Sequence, residues 1–239
     1  MTGVQTCALP IYAVASITVN NARITGKDVV LRATADDTWE WTGNEYADVV
    51  LDFLDSLSIG ANITRSVASA TVTVDGGAYI GASGDLTIES LAKTDASMRV
   101  VSTLLGFGYG ETDADAKVDI RTATLSADGD MKLRSVADST LLVKVDTVNT
   151  GRFTNMLSSA SKYANGSVAV GIVNQSAEAL VGSGAVIDKA GSLLVEATGE
   201  KSHEVSASGG SFKDGVASAG IAVSITNTTM NASLGGEVK

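Results

Sequence analysis

Short stretches in which apolar and polar residues alternate recur along the chain and predict β-strands with one buried face. Four segments repeat one pattern: an alternating stretch that begins with Ala, an Ala-x-Ile or Ala-x-Leu triplet, and a second alternating stretch. The segments are residues 15–35, 70–92, 116–137 and 177–197. Because residues two apart on a strand share a face, each segment predicts three short strands.

The last strand of each segment predicts the core. Its inward series runs from large to small in every repeat: Val29, Leu31 and Ala33; Leu86, Ile88 and Ser90; Met131, Leu133 and Ser135; Leu193, Val195 and Ala197. A small residue at the end lets the chain turn a corner close to its neighbours. A Gly-Asp step precedes the series at residues 84–85 and 129–130. It predicts a turn, since Gly tolerates positive φ and Asp bonds nearby backbone amides.

The distance between repeats is uneven, whereas the pattern within them is constant. The intervals are 57, 45 and 62 residues for the equivalent positions Val29, Leu86, Met131 and Leu193. A further sequence similarity relates the stretch that ends at Asn174 to the stretch that ends at Asn227, 53 residues further along. Constant units separated by loops of variable length are typical of solenoids. We therefore predict an all-β protein that forms a parallel β-helix, or β-solenoid.

An antiparallel β-sandwich is the alternative fold. It predicts hairpins with two-residue turns, and Asp75-Gly76 has the sequence of such a turn. A sandwich gives no reason for four matching units, so the repeats favour the solenoid.

Two stretches depart from the β pattern and predict short inserted helices. Residues 44–57 place apolar side chains at helical spacing after Asn44, which fits an N-cap. Residues 152–163 show the same spacing more weakly. We expect each helix to lie on the wall of the solenoid and cover apolar surface. An elaborated loop is the alternative for residues 152–163, and partner binding is an alternative role for either insert.

Residues 1–11 resemble a translated sequencing adapter. We therefore expect them to be an artefactual leader outside the fold, and residues 12–239 to be the repeat domain of a longer chain, a metagenomic fragment. Cys7 and Pro10, the sole cysteine and proline, lie in this leader. A weak secretory signal is the alternative, but no positive region precedes its short apolar run.

Composition narrows the classes of function. The 239 residues include 27 acidic against 17 basic side chains, a net charge of -10, which disfavours nucleic-acid binding through a basic patch. Aromatic residues make up 5% of the chain, so we expect a core of Val, Ile, Leu and Ala. No apolar run approaches the roughly 20 residues of a membrane span, and we expect no membrane insertion. One cysteine excludes a disulfide scaffold.

The repeated units resemble those of very large secreted bacterial adhesins of the filamentous-haemagglutinin and leukotoxin-like type. The shared features are small-residue segments that end near Asn, an Ala-x-Ile triplet, and Gly-Asp-Leu-x-Ile-x-Ala. The matching stretches here are residues 78–92, 123–137 and 166–197. The two predicted inserts depart from the regularity of that family. The chain also shows no secretion-signal domain, which leaves the export route open.

The resemblance implies a right-handed parallel β-helix, secretion across the envelope, and display or adhesion at the bacterial cell surface. The expected partner is a host or neighbouring cell surface, through a protein or glycan receptor that the residues do not identify. The alternative function is a carbohydrate-active β-helix enzyme, a polysaccharide lyase or hydrolase, which requires convergent carboxylates.

Two groups of acidic residues are the candidates for such chemistry. One is the pair Asp36 and Asp37. The other is the run Glu111, Asp113 and Asp115, which alternates and on a strand would share one face. That face could ligate Ca²⁺, which takes six to eight oxygen ligands. The competing interpretation is a solvated acidic loop.

The other candidate residues indicate no catalytic centre. His203 is the only histidine, so a site with several histidines is excluded, and we expect it on an exposed loop or a strand edge. Gly106-Phe-Gly108-Tyr-Gly110 lacks the Lys-Ser/Thr of a phosphate loop and predicts a flexible loop that presents two aromatic rings. Trp39 and Trp41 could stack on sugars or pack on the wall. We therefore predict no enzyme activity, no catalytic residues, no cofactor and no metal.

Overall fold

The described part of the chain is built from β-strands arranged in three parallel sheets. The computed structural model describes residues 6–7, 11–41, 59–102, 105–148, 165–210 and 218–239. These residues form 16 strands and no helix. The all-β class is therefore confirmed for the described residues, and none of them forms a helix able to cross a membrane.

Each sheet collects strands from distant parts of the sequence. The first sheet contains β1 (Thr6–Cys7), β2 (Ile11–Asn20), β5 (Ile59–Asp75), β8 (Leu105–Ile120), β11 (Asn165–Val181) and β15 (Ser218–Leu234). The second contains β3 (Arg23–Gly26), β6 (Ala78–Ala82), β9 (Ala123–Ala127), β12 (Val186–Lys189) and β16 (Glu237–Val238). The third contains β4 (Val29–Trp41), β7 (Leu86–Ser102), β10 (Asp130–Val148), β13 (Ser192–Thr198) and β14 (Lys201–Gly210).

The chain visits the first, second and third sheets in that order and then begins again. We call each passage a rung and number the rungs along the chain. The described parts of rungs 1 to 5 are residues 11–41, 59–102, 105–148, 165–210 and 218–239. The pairings between rungs are parallel throughout the described strands. The antiparallel sandwich is therefore wrong, and Asp75-Gly76 joins strands of two different sheets.

The register between rungs has the intervals that the repeats predict. Val29 pairs with Leu86, Leu86 with Met131, and Met131 with Leu193. Side chains at this corner interact across 57, 45 and 62 residues in the same three steps. Asn174 pairs with Asn227, 53 residues further on. The equivalence of the repeats is therefore confirmed residue by residue.

The predicted inward series lie in the core. The series of rungs 2 and 3 are buried throughout, from Leu86 to Ser90 and from Met131 to Ser135. The rung 4 series is half-buried, because β13 pairs with β10 alone among the described strands. Ser90, at the end of its series, donates to the Ala70 carbonyl (2.7 Å) and accepts from the Lys117 amide (3.0 Å). Ser90 thus joins the third sheet to the first, whereas the buried hydroxyl of Ser135 at the equivalent position in rung 3 has no hydrogen-bond partner among the described residues.

Polar side chains separate two apolar clusters inside the protein. The larger cluster includes Val72, Ile80, Leu86, Leu125 and Leu133. The smaller cluster is Ala96, Met98, Val100, Leu141, Val143, Val145, Ala169 and Val173. Between them in sequence lie Thr94 and Ser139, whose hydroxyls are 2.9 Å apart, and buried Gln175, which donates to the Glu200 carbonyl (2.8 Å). These bonds satisfy polar groups that would otherwise be buried at a cost.

The segment Gly106-Phe-Gly108-Tyr-Gly110 is not a flexible loop, as its composition suggested, but the start of β8. Its glycines face the interior, where the first and third sheets approach closely. A Cβ atom on Gly108 would lie 2.6 Å from Cγ2 of Val145. The alternating glycines therefore make room for β10, and the rings of Phe107 and Tyr109 face outward.

The Gly-Asp corners are explained by close approach and not by positive φ. Among the described glycines, only Gly76 (φ 67°) and Gly77 (φ 74°) have positive φ. At Gly84 and Gly129, a Cβ atom would collide with the aspartate carboxylate of the preceding rung. That carboxylate accepts a hydrogen bond from the backbone of the next rung: the Asp130 amide donates to Asp85 Oδ1 at 2.9 Å. The glycine of one rung thus leaves room for the aspartate carboxylate of the preceding rung. This contact fixes the spacing between the two rungs at the corner.

Charges alternate along one column on the outer face of the third sheet. Arg32, Glu89, Arg134 and Glu196 occupy equivalent positions in rungs 1 to 4. The Glu89 carboxylate lies 2.7 Å from Arg32 Nε and 3.4 Å from Arg134 Nη1. Arg134 Nε lies 3.1 Å from the Glu196 carboxylate. Each charge therefore lies beside the opposite charge in the rung above or below.

The two predicted helices and the expected leader lie at or beyond the ends of the described segments. The predicted helices at residues 44–57 and 152–163 lie outside the described residues. In the expected leader, Thr6 and Cys7 pair with Asn62 and Ile63, and Ile11 begins β2. Strand pairing thus extends into residues 1–11, while their adapter origin stays a prediction.

Candidate functional site on the outer face of the first sheet

The outer face of the first sheet carries two zones with different chemistry. Near the start of the strands it is apolar, with exposed side chains in rungs 2, 3 and 5: Ile63, Leu105, Phe107, Ile221, Val223 and Ile225. Further along the same strands it becomes polar. The register there places Asp113, Asn174 and Asn227 in one column, and Asp115, Ser176 and Thr229 in the next.

A hydrogen-bonded ladder runs along the first polar column. Asn227 Nδ2 donates to Asn174 Oδ1 at 2.8 Å, and Asn174 Nδ2 donates to Asp113 Oδ1 at 2.5 Å. Arg65 Nη2 donates to Asp113 Oδ2 at 2.7 Å. The ladder therefore links β5, β8, β11 and β15 and holds its side chains in defined positions.

The two polar columns line a shallow depression of about 220 Å³. The outward-facing residues that line it carry carboxylate, amide or hydroxyl groups, although most of the surface they expose there is carbon: Asp113, Asp115, Asn174, Ser176, Asn227 and Thr229. Buried Gln175 also lines it and ties β11 to the third sheet through the Glu200 carbonyl. The strands beneath the depression are thus held by hydrogen bonds on both the inner and the outer face of the first sheet.

Two basic side chains, Arg65 and Lys117, lie among the acidic ones around the depression. The hydrogen bond to Asp113 raises the pKa of Arg65, whose Nε also lies 3.7 Å from Glu111. Desolvation by its surroundings raises the pKa of Asp115, against the lowering effects of the Ser176 hydrogen bond and the Lys117 charge. Arg65 therefore compensates Asp113 and Glu111, whereas Lys117 pairs with Glu178 at 2.9 Å and Asp115 forms no ion pair among the described residues.

The acidic run Glu111, Asp113 and Asp115 lies on one face of β8, as its alternation predicts. The competing interpretation as a solvated loop is wrong, because the run is paired with strands on both sides. Arg65 contacts both Glu111 and Asp113. Across the described residues, no three acidic, histidine or cysteine side chains are placed to hold a metal ion.

The acidic pair of β4 does not join this group. Asp36 is exposed on the third sheet, while Asp37 faces inward and is buried. The Asp37 carboxylate accepts hydrogen bonds from Ser66 Oγ (2.7 Å) and the Val67 amide (2.8 Å). Asp37 therefore joins β4 to β5 and has a structural role.

His203 lies on β14, which pairs with β10 alone among the described strands, so the expected strand edge is confirmed. Its ring is half-buried, and Nδ1 lies 3.1 Å from Ser224 Oγ. Nε2 is buried with no hydrogen-bond partner in the described part of the chain. Burial, and then the Lys201 charge, lower the pKa of His203. Because no carboxylate contacts Nε2, a Ser-His-acid arrangement is not formed there.

Trp39 is half-buried on β4, beside Ala96 of β7, and its Nε1 has no hydrogen-bond partner among the described residues. The side chain of Trp41 lies outside the described residues. Sugar stacking by these rings stays a prediction.

Sequence reasoning identified Asp113 and Asp115 but missed their partners in the depression, Ser176 and Thr229. Two signals were visible in the sequence: the similarity of the residues around Asn174 and Asn227, and the Asn-x-Ser/Thr spacing shared by Asn174-Gln-Ser176 and Asn227-Thr-Thr229. Comparison with protein-family models, curated proteins and solved structures finds no match to this chain.

Proposed function

We propose that the chain is a structural and adhesive repeat segment of a large exported bacterial surface protein. In this proposal the rungs form a right-handed parallel β-helix whose walls and loops attach to a host or neighbouring cell surface. The observation that carries it is the constant order in which successive rungs visit three parallel sheets in register. Such an architecture grows by adding rungs, and its extended walls present large binding surfaces.

The positions of variable length support a role in display. Between the described strands, the first-to-second junctions of rungs 1 to 5 and the second-to-third junctions of rungs 1 to 4 contain two to four residues each. The third-to-first junction varies, from residues 103–104 to residues 42–58. The register of the sheets is thus kept although the number of residues between one rung's third-sheet strand and the next rung's first-sheet strand differs.

The outer face of the first sheet supports adhesion more than catalysis. It combines an exposed apolar zone with a polar depression, and exposed apolar surface of this kind marks interaction sites. The carboxylates there are paired with Arg65 or flanked by Lys117. A glycosidase-like enzyme requires a carboxyl pair free to exchange a proton or attack the substrate.

The test uses fluorescent beads coated with the full 239-residue chain and applied to cultured epithelial cells and to bacterial cells. We expect attachment above that of albumin-coated beads, and no release of reducing ends from pectin, alginate or xylan by the soluble chain. Attachment equal to the albumin control would refute the adhesive role. Release of reducing ends or unsaturated products would show that the enzyme alternative is correct.

A further inference from the structure

We propose that the depression between Asp113 and Thr229 binds a neutral glycan, with one sugar ring seated on the two polar columns. This inference deepens the proposed function and rests on it only for the biological setting, since it names the class of ligand the adhesive wall would take. The site is the depression of about 220 Å³ on the outer face of the first sheet.

The charge balance selects a neutral ligand. Asp113 and Asp115 oppose the binding of an anion such as a uronate, sulfate or phosphate. Arg65 bonds Asp113 at 2.7 Å, Lys117 pairs with Glu178 at 2.9 Å, and among the described residues no three acidic, histidine or cysteine side chains are placed to hold a metal ion, which disfavours a bound cation. What remains is a ligand without net charge that offers many hydrogen bonds.

The polar groups match a polyol in kind. A sugar hydroxyl donates one hydrogen bond and accepts others, so it suits a surface where acceptors and donors alternate. Asp113 and Asp115 supply acceptors. Asn227 uses one of its two amide N–H groups in the ladder. The backbone of Thr229 pairs with β11, while its side-chain hydroxyl makes no hydrogen bond to another described residue. These groups are available to hydroxyls that approach from solvent.

The spacing of the columns also fits a sugar ring. Neighbouring rungs are about 4.8 Å apart, and residues two apart on a strand are about 6.6 Å apart. Four side chains at the corners of such a grid surround an area comparable with one pyranose ring. The ladder from Arg65 to Asn227 fixes the side chains of the first column before the ligand arrives, which lowers the entropy lost on binding.

An aromatic surface continues the site along β8. Tyr109 and Phe107 lie on the same outer face, and the Tyr109 hydroxyl donates to Glu111 Oε2 at 2.9 Å. The carbon-bound hydrogens of a sugar ring pack on aromatic faces, since these are apolar with a negative centre. A second sugar of the same glycan can therefore contact Tyr109 while the first occupies the depression.

The experiment measures binding of neutral oligosaccharides to the full chain by isothermal titration calorimetry. The probes are hexasaccharides of glucose, mannose and galactose, with hexagalacturonate and CaCl2 as charged comparisons. We expect at least one neutral hexasaccharide to bind more tightly than hexagalacturonate. Thr229→Val and Asn227→Ala, both at exposed positions, should weaken that binding at least tenfold. Asn231→Ala, on the same strand but outside the depression, is the matched control and should bind as the unmodified chain does.

Far-UV circular dichroism and the Tm establish that each variant is folded, and the conservative Thr229→Val change keeps the side-chain shape. Failure of every neutral hexasaccharide to bind, or equal binding by Thr229→Val and Asn231→Ala, overturns the proposal. Preferential binding of hexagalacturonate or Ca²⁺ also overturns it. Beads that attach to cells equally with or without Thr229→Val leave the adhesive function standing and remove the glycan site. Glycan binding without attachment of the beads to cells supports the glycan site and contradicts the adhesive function.

Discussion

Removal of the Glu89 carboxylate tests how much the alternating charges of the third sheet stabilise the stack. The Glu89 side chain is 7% exposed and lies between Arg32 and Arg134. Glu89→Ala leaves these guanidinium groups without the carboxylate that separates them. Breaking a fully buried ion pair costs about 3–5 kcal/mol, and an exposed pair contributes about 0.2–1 kcal/mol. Because the arginines are 54% and 36% exposed, solvent screens them, and we expect a loss of about 2 kcal/mol in the free energy of unfolding.

Glu196→Ala is the matched control, since Glu196 contacts the same Arg134 but is 35% exposed on β13. We expect it to lower the free energy of unfolding by about 0.5 kcal/mol. Urea unfolding followed by far-UV circular dichroism measures both losses. In about 1 M NaCl the Glu196 effect should vanish and most of the Glu89 effect should remain, because salt screens exposed charges more strongly. Equal losses for the two variants, or loss of the Glu89 effect in salt, would refute the reasoning.

Three further predictions address the core and the edge. Gly108→Ala, which places a Cβ atom 2.6 Å from Val145, should destabilise the protein by about 1–3 kcal/mol in urea unfolding, whereas Gly166→Ala has space and should change it little. Leu133→Ala, at a fully buried position, should cost about 2–5 kcal/mol by the same assay, and a smaller loss would show that the interior collapses around the cavity. The lowered pKa of His203 means that the unfolded chain takes up its proton first, so stability should fall as pH drops below about 6.5. His203→Gln should reduce this fall in the Tm between pH 7 and pH 5, and an unchanged pH profile would contradict it.

The repeats could be predicted because strand patterns are local. Alternation over a few residues shows which side chains face inward, and the equivalence of Val29, Leu86 and Met131 follows from the shared pattern around them. Local patterns do not show why a residue is needed when the reason is a side chain of a neighbouring rung. Gly129 is needed because the Asp85 carboxylate, 44 positions earlier in the chain, occupies the space of its Cβ atom.

The polar depression was less accessible to sequence reasoning for the same reason. Asp113 and Ser176 become neighbours only once the register between β8 and β11 is known. That register places residues 61 apart in one column, as in the Asn174–Asp113 bond. The glycines of β8 were misinterpreted because inward positions without side chains have the composition of a loop. What distinguishes them is the proximity of Val145 on another strand.

The alternating charges also impose a parity on the stack. Arg32, Glu89, Arg134 and Glu196 alternate in sign from rung to rung. Deleting rung 2 or rung 3, or duplicating any one of rungs 1 to 4, would bring two like charges together in this column. Deleting rungs 2 and 3 together, or duplicating two adjacent rungs, would leave the alternation intact. A lineage that lengthens or shortens this protein by recombination is therefore expected to keep changes that come in pairs of rungs.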